Sequence, residues 1–236
     1  MSLSPCRRDK MMKAARAQVA QAQSSGIAPE NGSLHLQLIA LETDLKRLKS
    51  CDRISDRITM KRDELLPKYR PFVERYLAEN EIYTNSLFAH VVVWLFDVGE
   101  FQQGIEWALL CIEQQQPTPD NMKRNWPHFV ADSVLAWCEV QAENGQAVEP
   151  YCSQVFKHVR EDWRLNERLT AKWWKFVGLM LIRDEKGKPK PSAVFDIEQL
   201  KKARVIFQTA HDFHTNVGVK TYIEKIDMRI RKLTDG

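Results

Sequence analysis

The chain has 236 residues, of which 44% are hydrophobic and 28% charged, an ordinary balance for one or two globular domains that bury a core. Its longest apolar stretch, residues 87–96, contains His90 and is far shorter than the roughly 20 residues that cross a bilayer. The first residues lack the apolar core of a signal peptide, and five scattered cysteines form no CxxC pair. We therefore expect no membrane partner, no disulfide framework, no cysteine-based zinc site, and a reducing compartment such as the cytoplasm.

The formal net charge of +4 hides an uneven distribution of charge along the chain. Residues 1–70 carry a net charge of +6, residues 71–170 carry −8, and residues 171–236 carry +6. Basic ends are where a polyanion such as DNA would be sought first. Ordinary solvated helix faces would produce the same counts, so both interpretations stay open.

Residues 1–33 are predicted to be a flexible basic arm followed by a linker. The arm concentrates positive charge around the Ala- and Gln-rich sequence AARAQVAQAQ, and SSGIAPENGS then supplies the Gly, Pro and Asn residues that favour loops. A mobile arm of this kind can contact phosphates without reading the base sequence. Its candidate DNA-binding residues are Arg7, Arg8, Lys10, Lys13 and Arg16.

Residues 34–66 are predicted to form a long coiled-coil-like helix, or a helical hairpin, that carries oligomerisation. Leucines recur there at alternating spacings of four and three, the pattern of a coiled-coil seam. The strict heptad breaks at Asp52, and Pro67 and Pro71 are expected to stop or kink the helix near Leu66. The seam comprises Leu34, Leu38, Leu41, Leu45 and Leu48. The pattern leaves open whether this seam joins several chains or packs on its own chain.

The outer face of the same helix is predicted to be basic and to contact DNA phosphates. Its candidate residues are Lys46, Arg47, Lys49, Arg53, Arg57, Lys61 and Arg62. Secondary candidates lie in the loop DEKGKPKPS and near the C-terminus, namely Lys186, Lys188, Lys190, Arg229, Arg231 and Lys232. No helix-turn-helix pattern assigns a recognition helix.

Residues 67–236 are predicted to be a domain of helical hairpins, which makes the fold class all-α. Hydrophobic periodicity is that of helices throughout, with no convincing strand alternation. After a short helix beginning at Pro71, we expect three helical pairs and one last helix. The expected helices are 85–98 with 101–116, 127–143 with 148–161, 168–183 with 195–213, and finally 217–233.

The stretch VGEFQQGIEWALLCI resembles one unit of a tetratricopeptide repeat. Gly99 and Phe101 would lie at the turn between the paired helices, with the small residues Gly104 and Cys111 along the second helix and Pro117 as its end. The likeness is poor for the other pairs, so the domain is predicted to be repeat-like rather than a repeat array. The aromatic residues of this region are predicted to be core, namely Trp94, Phe96, Phe101 and Trp107.

The sequence offers little for catalysis, since it contains no GxxxxGK[ST] phosphate loop, no GxSxG and no HExxH motif. His211 and His214 are spaced to share one helix face, but two ligands alone do not make a metal site. The cluster Asp184, Glu185 and Lys186 loosely resembles a nuclease carboxylate–lysine trio, although a flexible charged loop is the favoured interpretation. We therefore assign no catalytic residue, no metal ligand and no cofactor.

Several segments together carry a family resemblance. They are LKRLKSCDRISDRITMKRDELLPKYRPFVERYL, the stretch WLFDVGEFQQGIEWALL, QPTPDNMKRNWPHFVADSVLAWC, and finally VGVKTYIEKIDMRIRKL. The combination KRxELLP…WxxDxGxxxxxxxxA resembles the small terminase subunit of Peduovirus-type tailed bacteriophages, over roughly residues 34–233.

The resemblance implies a subunit of a terminase holoenzyme that is not expected to catalyse a reaction by itself. Such a subunit would bind double-stranded viral DNA at the cohesive-end packaging site, form a ring-like homo-oligomer, and regulate the large terminase subunit, which carries the ATPase and nuclease. Family members are often labelled an endonuclease subunit because cutting needs both subunits. The subunit would act in the cytoplasm of the infected host and be absent from the mature virion. Relatives can carry a long basic C-terminal tail, whereas this chain ends at LTDG, so the arm is expected to take over DNA binding.

Two other functions stay open at the level of sequence. A helical-repeat scaffold would bind a peptide or the large subunit in a groove without binding DNA. An autonomous metal-dependent nuclease would cleave plasmid DNA with magnesium and lose that activity on Asp184→Ala or Glu185→Ala.

Overall fold

The computed structural model describes residues 34–79 and 82–235, so the predicted arm at residues 1–33 lies outside the described residues. These residues contain no β-strand, and only one isolated antiparallel bridge joins Arg183 to Pro189. The predicted all-α fold class is confirmed. The chain divides into two compact units, the first ending at Lys123 and the second beginning at Arg124.

The first unit is built from helices that follow one another with short connections. They are α1 (Leu34–Ser50), α2 (Ile54–Met60), α3 (Leu66–Glu79), α4 (Ser86–Val98) and α5 (Phe101–Glu113). A π-helical segment, Lys61–Leu65, joins α2 to α3 without a break.

Residues 34–66, predicted to form a long helix or a helical hairpin, are interrupted after Ser50, where residues 51–53 leave the helical conformation. Two side chains satisfy carbonyl groups at this break. The Ser50 hydroxyl donates to the carbonyl oxygen of Arg47 at 2.7 Å, and Arg57 Nε donates to that of Cys51 at 2.9 Å. Such side-chain donors replace the amide partners that a helix end lacks.

Of the two outcomes expected near Leu66, a stop or a kink, the stop does not occur, because α3 begins there and contains both Pro67 and Pro71. In a regular helix the ring of Pro67 would meet the carbonyl of the residue four positions earlier, Asp63. That residue lies in the π-helical segment, where hydrogen bonds join residues five apart and the turn is wider. The wider turn gives a physical reason why the helix continues through the proline.

The predicted hairpin of α4 and α5 forms around Gly99. Asn85 caps α4, accepting a hydrogen bond from the Phe88 amide at 3.1 Å. Gly99 ends that helix in the left-handed conformation with φ of +85°, which costs a glycine little. A Cβ on Gly104 would lie 3.1 Å from the Phe96 ring, so this small residue permits close packing.

The aromatic residues predicted to be core are confirmed as core, since Trp94, Phe96, Phe101 and Trp107 are all buried. The rings of Phe96 and Phe101 pack edge to face with centroids 5.6 Å apart. The likeness of this hairpin to a tetratricopeptide unit stays a prediction.

The second unit consists of α6 (Trp126–Glu143), α7 (Tyr151–Glu161), α8 (Glu167–Leu181), α9 (Ile197–Phe213) and α10 (Lys220–Thr234). Short 3₁₀ turns at Pro191–Ala193 and Thr215–Val217 precede the last two helices. The core of this unit includes Trp173, which is fully buried and donates from Nε1 to the Ala131 carbonyl at 3.1 Å. Across the described residues, no helix has both the length and the apolar composition needed to cross a membrane.

Candidate nucleic-acid interface

One residue of the predicted basic face, Arg47, contacts a buried carboxylate, that of Asp44, whose side chain is only 5% exposed. Asp44 Oδ2 accepts hydrogen bonds from Lys68 Nζ at 2.7 Å and from the Tyr69 hydroxyl at 2.8 Å. Its other oxygen accepts from Arg47 at 3.0 Å, and Arg47 also reaches Glu64 at 2.8 Å. This network ties α1 to α3 and to the π-helical segment.

The hydrogen bonds of this network shift the pKa values of Asp44 and Tyr69. Burial by itself would raise the pKa of Asp44, but hydrogen bonds from Lys68, Tyr69 and Arg47 outweigh burial and hold that pKa below its ordinary value. Burial, reinforced by the hydrogen bond to Asp44 and by the charge of that carboxylate, raises the pKa of Tyr69. Asp44 is therefore ionised and Tyr69 protonated at neutral pH.

Three of the seven predicted cations on this face are held by contacts within the chain. Arg47 belongs to the Asp44 network, and Arg57 donates to the Cys51 carbonyl. Lys61 forms an ion pair with Asp97 on α4 at 2.7 Å and is only 14% exposed. These three stabilise the first unit and offer less to a phosphate than their sequence position indicates.

The other four, Lys46, Lys49, Arg53 and Arg62, are exposed and form no ion pair with any residue the structure describes. They lie at the end of α1, at the break before α2, and in the π-helical segment. The exposed acids Asp52 and Asp56 stand among them in the sequence, so the surface charge is mixed rather than uniformly positive. These four cations are the part of the predicted face that remains available to a polyanion.

The leucine seam is divided between the core and the surface. Leu41 is 3% exposed and faces its own unit, where α1 packs on α4. The other leucines of the seam are half-buried, namely Leu34, Leu38, Leu45 and Leu48. A partner chain could therefore cover the edges of the stripe but not its centre.

The charged loop of the second unit, predicted to be a flexible charged loop, contains a hydrogen-bonded turn. Asp184 Oδ1 accepts the backbone amides of Lys186 at 3.0 Å and Lys188 at 2.9 Å, and Gly187 takes a φ of +73°. The amide of Lys188, with that of Lys186, lowers the pKa of Asp184. An Asp three residues before a Gly was the available signal for this turn.

The weaker metal and nuclease candidates lie at the end of α9 and in the charged loop of the second unit. His211 lies in the last turn of α9 and His214 directly follows that helix. Among residues 34–79 and 82–235, no group of three His, Cys, Asp or Glu side chains is placed to hold a metal ion. Within that part of the chain, the Asp184 carboxylate instead serves the turn.

Comparison with known proteins identifies the family. The family described as "Phage small terminase subunit" matches residues 38–168, more than half of the chain. A curated protein of Haemophilus phage HP1 (strain HP1c1), "Probable terminase, endonuclease subunit", is 36% identical over 211 residues, which cover 89% of this chain and 75% of that protein. No solved structure matches the chain. The chain therefore belongs to the phage small terminase subunit family, and its role lies in phage packaging.

Proposed function

We propose that this protein binds double-stranded viral DNA at the cohesive-end packaging site, assembles into a ring-like homo-oligomer, and regulates the ATPase and nuclease of a large terminase subunit. Family membership supports the packaging role. The single structural observation that supports DNA binding is the exposed set Lys46, Lys49, Arg53 and Arg62, free of ion pairs within the described residues. We place this activity in the cytoplasm of the infected host and outside the mature virion.

The proposed contacts are to the DNA backbone. Lysine and arginine side chains neutralise phosphates and release counterions, which gives affinity without base readout. Four exposed cations on one copy give a weak site, and the arm at residues 1–33 would add five more. Oligomerisation through the exposed edges of the leucine seam would multiply these contacts along one DNA molecule.

The similar Haemophilus phage protein carries "endonuclease subunit" in its name. For this chain we assign DNA cutting to the holoenzyme and its active site to the large subunit. Cleavage of plasmid DNA by the purified chain with magnesium, lost on Asp184→Ala, would contradict this assignment. An Asp184→Asn variant distinguishes chemistry from folding, because its amide oxygen can still accept the turn hydrogen bonds.

The test of DNA binding is a salt titration of the full chain with duplex DNA that contains the packaging site. Lys46→Glu with Lys49→Glu should weaken binding and lower the slope of log K against log salt by about 0.9 for each phosphate that the protein no longer neutralises. The matched control is Lys157→Glu with Lys202→Glu, the same charge change on exposed lysines of the second unit. Deletion of residues 1–33 should lower the slope further.

Three outcomes would contradict the proposal. Equal slopes for the wild type, the Lys46/Lys49 variant and the arm deletion would remove DNA contact from these residues. A chain that binds a partner protein but no duplex DNA at physiological salt would favour the helical scaffold instead. Native mass spectrometry tests assembly, where one large oligomer supports the proposal and a monomer contradicts it.

A further inference from the structure

A second basic surface lies in the second unit, between the turn that precedes α9 and the helix α10. It is a groove of about 400 Å³. One wall is the sequence 189–192, and the other is one face of α10. The α10 wall consists of Lys225, Met228, Arg229 and Lys232, whose spacing of three, one and three residues places them on one helix face. These positions lie beyond residues 38–168, the part of the chain matched by the family.

The charged residues that line the groove, Lys190, Lys225, Arg229 and Lys232, are all cationic. Lys190, Lys225 and Lys232 are exposed and form no ion pair with other described residues. No carboxylate lines the groove among residues that the structure describes. The backbone under Lys190 is fixed, because its amide donates to the Ile182 carbonyl at 2.7 Å. Such a surface attracts an anionic chain.

An exposed aromatic ring adjoins the groove. Phe195 is 77% exposed, although large apolar side chains are usually covered. Arg229 is held beside it, since Arg229 Nε donates to the Val194 carbonyl at 3.0 Å while its guanidinium stands 4.8 Å from the centre of the Phe195 ring. The cation–π contact orders the ring and leaves most of its surface open.

We propose that this groove binds single-stranded DNA, with Lys190, Lys225 and Lys232 on phosphates and Phe195 stacked on an unpaired base. Exposed aromatic rings beside cationic grooves are the means by which proteins bind single strands without sequence preference. A duplex cannot use the ring, because its bases are already stacked on one another. An acidic peptide would satisfy the lysines but would leave the ring unused. The groove volume falls within the range of about 300–1,000 Å³ typical of small-ligand sites, enough for a nucleotide.

This inference rests on the proposed function in one respect only, namely that the anionic polymer bound by the protein is DNA. It assigns unpaired DNA to the second unit, whereas the proposed function assigns duplex DNA to the first. The two assignments fail independently, because each has its own ligand and its own variants.

The experiment titrates the full chain with fluorescent oligodeoxythymidylate, duplex DNA and polyglutamate. Phe195→Ala should weaken oligodeoxythymidylate binding roughly five- to hundred-fold without changing its salt slope, because stacking releases no counterions. Phe195→Trp should retain affinity. Lys225→Glu with Lys232→Glu should weaken the same ligand and lower the slope by about 0.7 for each phosphate left without a cation. Lys157→Glu with Lys202→Glu is again the control and should have a far smaller effect.

The ring and the lysines are on the surface, so these variants are expected to fold, which circular dichroism would verify. As a measurement that needs no variant, an oligonucleotide carrying 5-iododeoxyuridine should photocross-link to the peptide that contains Phe195. Crosslinking elsewhere only, unchanged affinity in Phe195→Ala, or polyglutamate binding as tight as that of oligodeoxythymidylate would overturn the inference. Loss of duplex binding in the Lys46/Lys49 variant with oligodeoxythymidylate binding intact would support it and show two separate sites.

Discussion

The hydroxyl of Tyr69 donates to the buried carboxylate of Asp44 over 2.8 Å, joining residues that are 25 positions apart. Tyr69 is fully buried and Asp44 nearly so. The bond crosses the break between α1 and α2, so it fixes where α1 lies on the rest of the first unit. The candidate DNA-contacting lysines of α1 depend on this placement.

Replacement of Asp44 by Asn should lower the free energy of unfolding by about 2–4 kcal/mol, because charge-assisted bonds are removed and the Tyr69 hydroxyl stays buried. Lys68 is 46% exposed and can return to water, which keeps the loss moderate. Urea denaturation measures it. Asp52→Asn is the exposed control and should change stability by less than about 0.5 kcal/mol. Equal stability of the two variants would contradict a structural role for Asp44.

The contribution of Asp44 should also depend on pH. Its pKa in the folded chain lies below the ordinary value of 3.8, so the folded state holds the proton less tightly than the unfolded state. The stabilisation is then fully present above about pH 4 and is lost as pH falls through the folded pKa. The stability difference between the wild type and Asp44→Asn should therefore shrink below about pH 4. A difference that stays constant with pH would show that the carboxylate charge is not what stabilises this region.

The leucine seam should separate into two classes on mutation. Leu41→Ala should cost about 2–5 kcal/mol of unfolding free energy because it leaves a cavity in the first unit. The double variant Leu38→Ala with Leu45→Ala should lose less unfolding free energy per residue than Leu41→Ala, since both side chains are half-buried. If the exposed edge carries oligomerisation, the double variant should lower the mass seen by native mass spectrometry while keeping its helical circular dichroism. An oligomer of unchanged mass would move the interface elsewhere.

Gly178 should not tolerate a methyl group. A Cβ there would lie 2.7 Å from Cε1 of Phe207, a fully buried ring that cannot move away freely. Gly178→Ala should destabilise the second unit by about 1–3 kcal/mol, partly offset by the better helix propensity of alanine. Thermal denaturation measures this loss. Adding Phe207→Leu removes the ring, so the double variant should lose less than the sum of the single variants, and strict additivity would contradict the steric explanation.

Gln116 should be needed for a buried polar cluster at the end of α5. Its Oε1 accepts the Asn85 amide at 2.8 Å, and its Nε2 donates to the Tyr76 hydroxyl at 2.9 Å and the Tyr83 carbonyl at 2.7 Å. Gln116→Leu should lower the free energy of unfolding by about 1–3 kcal/mol, because the buried backbone amide of Asn85 loses its hydrogen-bond acceptor. Gln146→Leu is the exposed control in the same chemical denaturation. Equal midpoints for the two variants would contradict the role of the cluster.

Local sequence signals predicted the helices and their turns well. Gly99 predicts the α4–α5 turn because few other residues adopt its backbone conformation. Trp94 and Trp107 are predictable as core residues because hydrophobic periodicity places each on the apolar face of its helix. The leucine heptad breaks at Asp52. The interruption of the helix at residues 51–53 could not be inferred from that change of pattern alone. It depends on side chains such as Arg57 reaching carbonyl groups after the chain has folded.

The candidate sites were less accessible to sequence reasoning than the fold. Lys46 and Lys61 look alike in the sequence, yet only Lys61 meets Asp97, a partner 36 positions away. The sequence predicted Phe195 as the first residue of a helix. Neither the exposure of its ring nor its contact with Arg229 could be inferred from the sequence. Both cases depend on contacts between distant segments, which one sequence without its fold does not contain.

The π-helical segment at Lys61–Leu65 has a consequence for insertions and deletions in this family. A π turn holds more residues than the 3.6 of an α-helical turn, and each residue of an α-helix adds about 100° of rotation. A chain shorter by one residue in this segment could form a regular helix, but everything before it would turn by about a quarter of a circle relative to α3. Lys61 would then leave Asp97, and the cations around Arg53 would face a different direction. The number of residues in this segment therefore determines the direction in which the proposed DNA-binding surface faces relative to α3.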